Sequence, residues 1–267
     1  MIKHLIIVGV GLLGSSIGLA TKKRRLAETV IGIGRRRETL DAALRRGAVD
    51  VVSTELGVLA EIDDGIAFIC TPVGVIISDA ERIAAVNGNL LLSDVGSTKA
   101  NICRELQKLR FVGGHPIAGS EKSGPEFGDE NLFQNRLTVL TPTDSSRSED
   151  VERLRFFWES LGSQVLCTEP ERHDAILAKT SHLPHAVAAT LASLLTDAER
   201  PFCGAGFADT TRIAAGPATV WTDIFIENRL QLLAALDEFG DRLESLKTAL
   251  QNGDENAVTR FLESAQR

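Results

Sequence analysis

No CxxC pair occurs in this sequence. Its four cysteines stand alone at Cys70, Cys103, Cys167 and Cys203. That spacing excludes a zinc ribbon or a redox dithiol and leaves reduced thiols in a cytoplasmic protein as the simple reading. An excess of basic charge is also missing: 29 Lys and Arg against 36 Asp and Glu give a net charge of −7. The balance argues against a general binder of nucleic-acid backbones. No apolar run reaches the roughly 18 to 20 residues of a membrane helix, so no membrane partner is expected. Internal repeats and low-complexity tracts are absent, and Tyr does not occur at all. With 43% hydrophobic and 24% charged residues, disorder and fibrous architectures are excluded as well. The 267 residues suffice for two domains with full cores.

The first 20 residues imitate a secretory signal, with a basic head and an apolar middle. A small-x-small cleavage site is missing, however, and glycines interrupt the apolar run. Lys22 to Arg25 then place four basic residues where a mature domain would begin. The segment reads better as the first strand and helix of a fold. Leu5 to Val10 is a continuous apolar run, as in a strand buried on both faces of a parallel sheet. A helix follows from about Leu13 to Arg25. Further strands are expected at Thr29 to Ile33, Gly65 to Cys70, Asn89 to Val95, Phe111 to Gly113, Leu137 to Thr141 and Gln164 to Cys167, with helices at Thr39 to Arg46 and up to about Leu161. Strands alternating with helices over residues 1–168 predict an α/β fold, a doubly wound Rossmann-type sheet. From 169 to 267 only helical patterns remain, over about Glu171 to Thr196, Asp223 to Gln251 and Asp254 to Ser264. This all-α domain has Leu- and Ala-rich faces too apolar for a lone solvated bundle, and a homodimer is the natural outlet.

Gly9, Gly11 and Gly14 form GxGxxG between the first strand and the first helix. Gly9 permits the tight turn, Gly11 admits a pyrophosphate close to the backbone, and Gly14 lets helix and strand pack closely. The N–H groups opening the helix, at Leu12 and Leu13, supply positive potential for phosphate. A carboxylate about 20 residues further on would hold the ribose 2′-hydroxyl of NAD. Counting on from Gly14 reaches Gly34, which has none, and Arg35, Arg36 and Arg37 follow. Guanidinium forks without an acid suit a 2′-phosphate, so NADP is favoured over NAD, with Arg35 and Arg36 ahead of Arg37. A solvated basic loop is the plain alternative.

Ligands of such sheets bind beyond the carboxyl ends of the strands. Three loops are expected there. In the first, Thr71 and Pro72 can line the nicotinamide side. In the second, Ser93 to Lys99, Ser97 is well placed either for chemistry or as a helix N-cap. The third, Gly113 to Gly124, carries His115 between glycines and a proline, in a loop beyond a strand end, which favours a functional histidine over a core one. In the helical half, His182 and His185 share one helix face, and Pro184 between them marks a bend. A zinc pair lacks third and fourth ligands, so no metal is expected. Asp209 and Arg212 stand three apart, either as a surface ion pair or with Arg212 as a fork for a substrate carboxylate.

GVGLLGSS, SDVGSTK, GGHPIAGSEKSG, SHLPHA and FADTTRIAAGPATVW occur in that order from the first strand to about Ile224. Together they resemble the prephenate/arogenate dehydrogenase family of tyrosine biosynthesis. The GGHPxAGxE and TRIA motifs are far more specific than the glycine motif. The resemblance implies oxidative decarboxylation of a cyclohexadiene, arogenate or prephenate, with hydride passing to the nicotinamide. It implies that His115 accepts the substrate hydroxyl proton, that Ser97 orients both, and that Arg212 holds a substrate carboxylate. It further places His185 and His182 near the substrate side chain, gives Glu121 a part in gating the pocket, and assigns Trp221 to an aromatic contributed across a dimer. One departure from the family pattern is Ala208, where many members carry Arg. Two rival readings are another NADP oxidoreductase with a helical dimer domain, such as a β-hydroxyacid dehydrogenase, and a non-enzymatic dinucleotide sensor. The second leaves His115, Ser97 and Arg212 without work.

Overall fold

Strand β1 (Ile2–Val8) sends Leu5 and Ile7 into one buried cluster and Ile6 and Val8 into another. Side chains alternate along a strand, so burial of both sets means that both faces of the sheet are covered. The computed structural model describes residues 1–119 and 122–266. Helices α1 (Leu12–Lys23), α2 (Arg37–Arg45) and α5 (Ser148–Ser160) flank one face, where Trp158 packs edge-on against Phe68 and Phe133. On the other face lie α3 (Ile76–Val86) and α4 (Ala100–Glu105), through residues such as Ile76, Ile83 and Ile102.

The sheet has eight strands, in the order β3-β2-β1-β4-β5-β6-β7-β8. The others are β2 (Ala27–Ile33), β3 (Val51–Ser53), β4 (Gly65–Ile69), β5 (Leu91–Asp94), β6 (Phe111–Pro116), β7 (Leu137–Thr141) and β8 (Gln164–Cys167). The order reverses between β1 and β4, so the ligand crevice of a doubly wound sheet opens above their carboxyl ends. Pairing is parallel from β3 through to β6. Strand β7 turns antiparallel against β6, and β8 runs parallel to β7. In its described part the connection from β6 to β7, residues 117–136, holds only a 3₁₀ turn at Pro125–Phe127 and not the crossover helix that usually joins parallel neighbours.

Two local readings of the sequence are corrected. The three-residue edge strand β3 carries too little periodicity to be read from sequence. Strand β6 continues through His115 to Pro116 because β7 supplies partners up to that point, so His115 lies on a strand end and not in a loop beyond it. Around Pro184 the helical backbone runs on from α6 (Pro170–Leu177) through a π-helical turn, Ala178–His182, into α7 (Leu183–Ser193), an irregularity of the kind that accompanies proline within a helix.

The remaining helices are α8 (Ala205–Thr211), α9 (Ala218–Glu227), α10 (Arg229–Gln251) and α11 (Glu255–Ser264). The chain forms two compact units, one of Met1–Asp174 with Ala215–Glu227, the other of Ala175–Ala214 with Asn228–Arg267. Helix α9 therefore groups with the sheet. Among the described residues no helix is long and apolar enough to cross a membrane.

Candidate active site

The glycine turn is built by close backbone approach. Gly9 has φ +93°, and a Cβ there would lie 2.9 Å from the carbonyl carbon and oxygen of Cys70, at the end of β4. A Cβ on Gly14 would meet the Gly9 carbonyl oxygen at 2.3 Å and Ile7 Cγ2 at 2.8 Å. Gly11, the N-cap of α1, has open space in that direction for 4 Å. Two glycines thus seat the helix against the sheet, and the third leaves room above an N-terminus that presents Leu12 and Leu13. A dinucleotide pyrophosphate fits this cradle on both steric and electrostatic grounds.

At the end of β2, Gly34 presents no side chain. Arg35 and Arg36 are exposed, and no described residue pairs with either guanidinium, whereas Arg37 bonds Asp41 at 3.0 Å within α2. After β4, Thr71 is half-buried and donates its hydroxyl to Asp79 at 2.9 Å, while Pro72 is exposed.

The loop after β5 is held by charge. Asp94 and Lys99 form an ion pair with both side chains wholly buried. Asp94 also accepts the N–H of Gly96 at 2.8 Å and of Gly114 at 3.1 Å, which ties this loop to the strand carrying His115. Breaking one partner of such a pair costs about 3–5 kcal/mol. Ser97 is half-buried and does not cap α4, whose N-cap is Lys99. The capping role falls to a distant residue. Asp174 accepts the N–H of Lys99 at 2.8 Å and of Ala100 at 2.9 Å, and satisfies donors that a local side chain would otherwise serve.

His115 Nδ1 stands 2.9 Å from His173 Nε2, and His173 Nδ1 stands 2.8 Å from Asp174 Oδ1. Neither His173 nor Asp174 was singled out from the sequence, where both fall within the helical pattern of about Glu171 to Thr196. Asp94 and Lys99 lay inside a motif recognised only for its serine. The available signal was a carboxylate ending the short buried strand β5. Trp221, on α9, is half-buried against Phe225 with ring centroids 5.8 Å apart.

In the second unit, His182 and His185 are buried, and the Asn228 amide donates to His182 Nδ1 at 3.0 Å. Desolvation by burial lowers the pKa of His185 from its ordinary value. Arg212 is exposed at the start of a 3₁₀ turn, and the ion pair with Asp209 does not form. Glu121 lies outside the described residues.

A glycine cradle at the switch point of a parallel sheet, followed by a helical unit, defines a nucleotide-binding dehydrogenase of the Rossmann class. Family models agree: residues 17–167 match the prephenate dehydrogenase nucleotide-binding domain, and residues 169–264 the prephenate dehydrogenase dimerization domain. The chain belongs to the prephenate/arogenate dehydrogenase family. It is 32% identical to a prephenate dehydrogenase of Bacillus subtilis, over 98% of this chain and 74% of that one. Among solved structures, the A. aeolicus prephenate dehydrogenase in complex with hydroxyphenyl propionate and NAD+ superposes with a TM-score of 0.94 at 30% identity, covering 100% of this chain and 96% of that one. Synechocystis arogenate dehydrogenase gives 0.85 at 31% identity, with 98% and 97% covered.

Proposed function

We propose that this enzyme carries out NADP-dependent oxidative decarboxylation of arogenate, prephenate or both. When bound, the dinucleotide supplies the hydride acceptor for the ring carbon that bears the 4-hydroxyl. His115 accepts the hydroxyl proton as ketone character develops and returns it when loss of CO2 makes the ring aromatic. That role requires a neutral imidazole. Ser97 orients the hydroxyl and the imidazole, and Arg212 grips a substrate carboxylate. His182 and His185, the latter kept neutral by burial, act near the substrate side chain, Glu121 helps gate access, and Trp221 is contributed across a dimer. The observation that carries this reading is His115 at the carboxyl end of β6, its ring held through Nδ1, in the same unit as the glycine cradle.

Support for NADP comes from Gly34, which offers no carboxylate to repel a 2′-phosphate, beside the exposed and unpaired Arg35 and Arg36. A homodimer is supported by the match to a dimerization domain and by the apolar side chains that α10 leaves exposed at Leu230, Leu233, Leu243 and Leu250.

The test mixes purified protein with NADP+ or NAD+ and either cyclohexadiene, and follows absorbance at the reduced-nicotinamide band. Turnover with NADP+ is expected, and its absence with both substrates would overturn the reading. Replacing Arg35 and Arg36 with Ala should raise KM for NADP+ by about 10- to 100-fold, the loss of charge-assisted bonds worth about 1.5–3 kcal/mol, and leave NAD+ little affected. An unchanged KM for NADP+ would remove the two arginines from the cofactor site.

A further inference from the structure

The three groups His115, His173 and Asp174 form a hydrogen-bonded chain whose direction, for a neutral His173, is set by its far end. Asp174, as a carboxylate, only accepts; it takes the N–H groups of Lys99 and Ala100, and its Oδ1 also meets His173 Nδ1 at 2.8 Å. His173 Nδ1 must therefore carry the proton in that contact. A neutral His173 then presents a lone pair at Nε2, and His115 Nδ1 meets it at 2.9 Å. Two lone pairs facing each other at that distance would repel, so His115 donates Nδ1–H. The lone pair of His115 is consequently on Nε2.

We propose that His173 and Asp174 are positioning residues that hold His115 in its Nδ1–H tautomer, so that Nε2 is the basic atom. The inference rests on the reading of His115 as the proton acceptor. A neutral imidazole left to itself prefers the opposite tautomer, with hydrogen on Nε2, which would turn a donor toward the substrate hydroxyl. In serine proteases a buried carboxylate serves the same purpose directly on the catalytic imidazole. Here a second imidazole intervenes. Its burial secures the geometry: the His173 side chain is fully enclosed and that of Asp174 is 4% exposed, so water does not compete for either contact. The remaining arrangement, a protonated His173 donating to His115 Nδ1, places the hydrogen of His115 on Nε2 and makes the opposite prediction.

The variants belong at His173, because Asp174 also caps α4 and its replacement would disturb the Ser97 loop. Nitrogen-15 NMR of histidine-labelled protein, without cofactor, reads the tautomers directly, with only five histidines to assign. In the wild type, His115 and His173 should both appear as Nδ1–H. His173→Phe should move His115 toward Nε2–H and lower kcat by about 10- to 1000-fold, within the range for general-base catalysis, with KM for dinucleotide changed less than about twofold. His173→Gln, whose amide oxygen can accept Nδ1–H, should restore the tautomer and most of kcat. Finding His115 as Nε2–H in the wild type would overturn the relay, and this needs no variant to fold. Equal losses in the Phe and Gln variants, with the His115 tautomer unchanged, would also overturn it. Should the wild type turn over neither diene, the proposed reaction falls, while the tautomer measurement still decides the relay.

Discussion

Adding one methyl group at Gly14 and at Gly11 should have opposite consequences, and the pair tests the cradle. At Gly14 the new Cβ falls 2.3 Å from the Gly9 carbonyl oxygen and 2.8 Å from Ile7 Cγ2. Restoring ordinary contact distances requires a displacement of about 1 Å between α1 and β1. Neither obstacle yields easily, since one is backbone in a turn at φ +93° and the other belongs to a core strand. Overpacking of this kind costs about 1–3 kcal/mol, and the rigid neighbours put Gly14→Ala near the upper end. Subtracting the gain of about 0.5–1 kcal/mol for alanine over glycine inside a helix leaves a net loss of about 2 kcal/mol. For a protein of this size that lowers Tm by about 4–8 °C. At Gly11 nothing obstructs the methyl group within 4 Å. Alanine is a poorer N-cap than glycine but restricts the unfolded chain, and the two effects, each of about 1 kcal/mol or less, nearly cancel. Gly11→Ala should therefore melt like the wild type without cofactor but bind dinucleotide at least about 10-fold more weakly, a loss of about 1.4 kcal/mol or more. Thermal unfolding with and without NADP+, together with calorimetric titration, measures both. A Gly14→Ala protein melting within 1 °C of the wild type, or a Gly11→Ala protein binding NADP+ normally, would refute the reasoning.

Arg212→Ala should raise KM for the diene by about 10- to 100-fold with a smaller effect on kcat, as expected when a charge-assisted contact is lost; an unchanged KM in steady-state assays would count against the carboxylate grip. Burial pushes the Cys103 thiol up to about 11, so at pH 8 its thiolate fraction is on the order of one in a thousand, and burial raises Cys70 further still. Both should resist alkylation at pH 8 in the folded protein, and rapid modification of either, mapped by mass spectrometry, would contradict the packing around them.

Much of the nucleotide half was legible because its signals are local. The apolar run at Leu5 to Val10, the spacing of Gly9, Gly11 and Gly14, and the missing acid at Gly34 each depend on neighbours in sequence. Strands β7 and β8 were readable to the residue, since each is a short apolar stretch between clear breaks. The extent of β6 was not. Whether His115 is strand or loop depends on how far β7 pairs with it, and β7 begins more than 20 residues later. Ser97 as a helix cap failed for a similar reason: the N–H groups it would have served are taken by Asp174, 74 and 75 positions away. The Asp209–Arg212 spacing allowed an ion pair that the turn at Arg212 does not make.

The alternation of strands and helices in the first half, the place of the glycine turn and the identity of the family follow from the sequence alone, because periodicity, turn residues and contiguous motifs are properties of short segments. The partners of the reactive groups do not. That His115 meets His173, that Asp174 caps a helix from across the unit, and that Asp94 and Lys99 neutralise each other out of reach of water were decided only when the chain closed. The first two join residues 58 to 75 positions apart, and a buried polar group takes whichever partner the fold delivers to it.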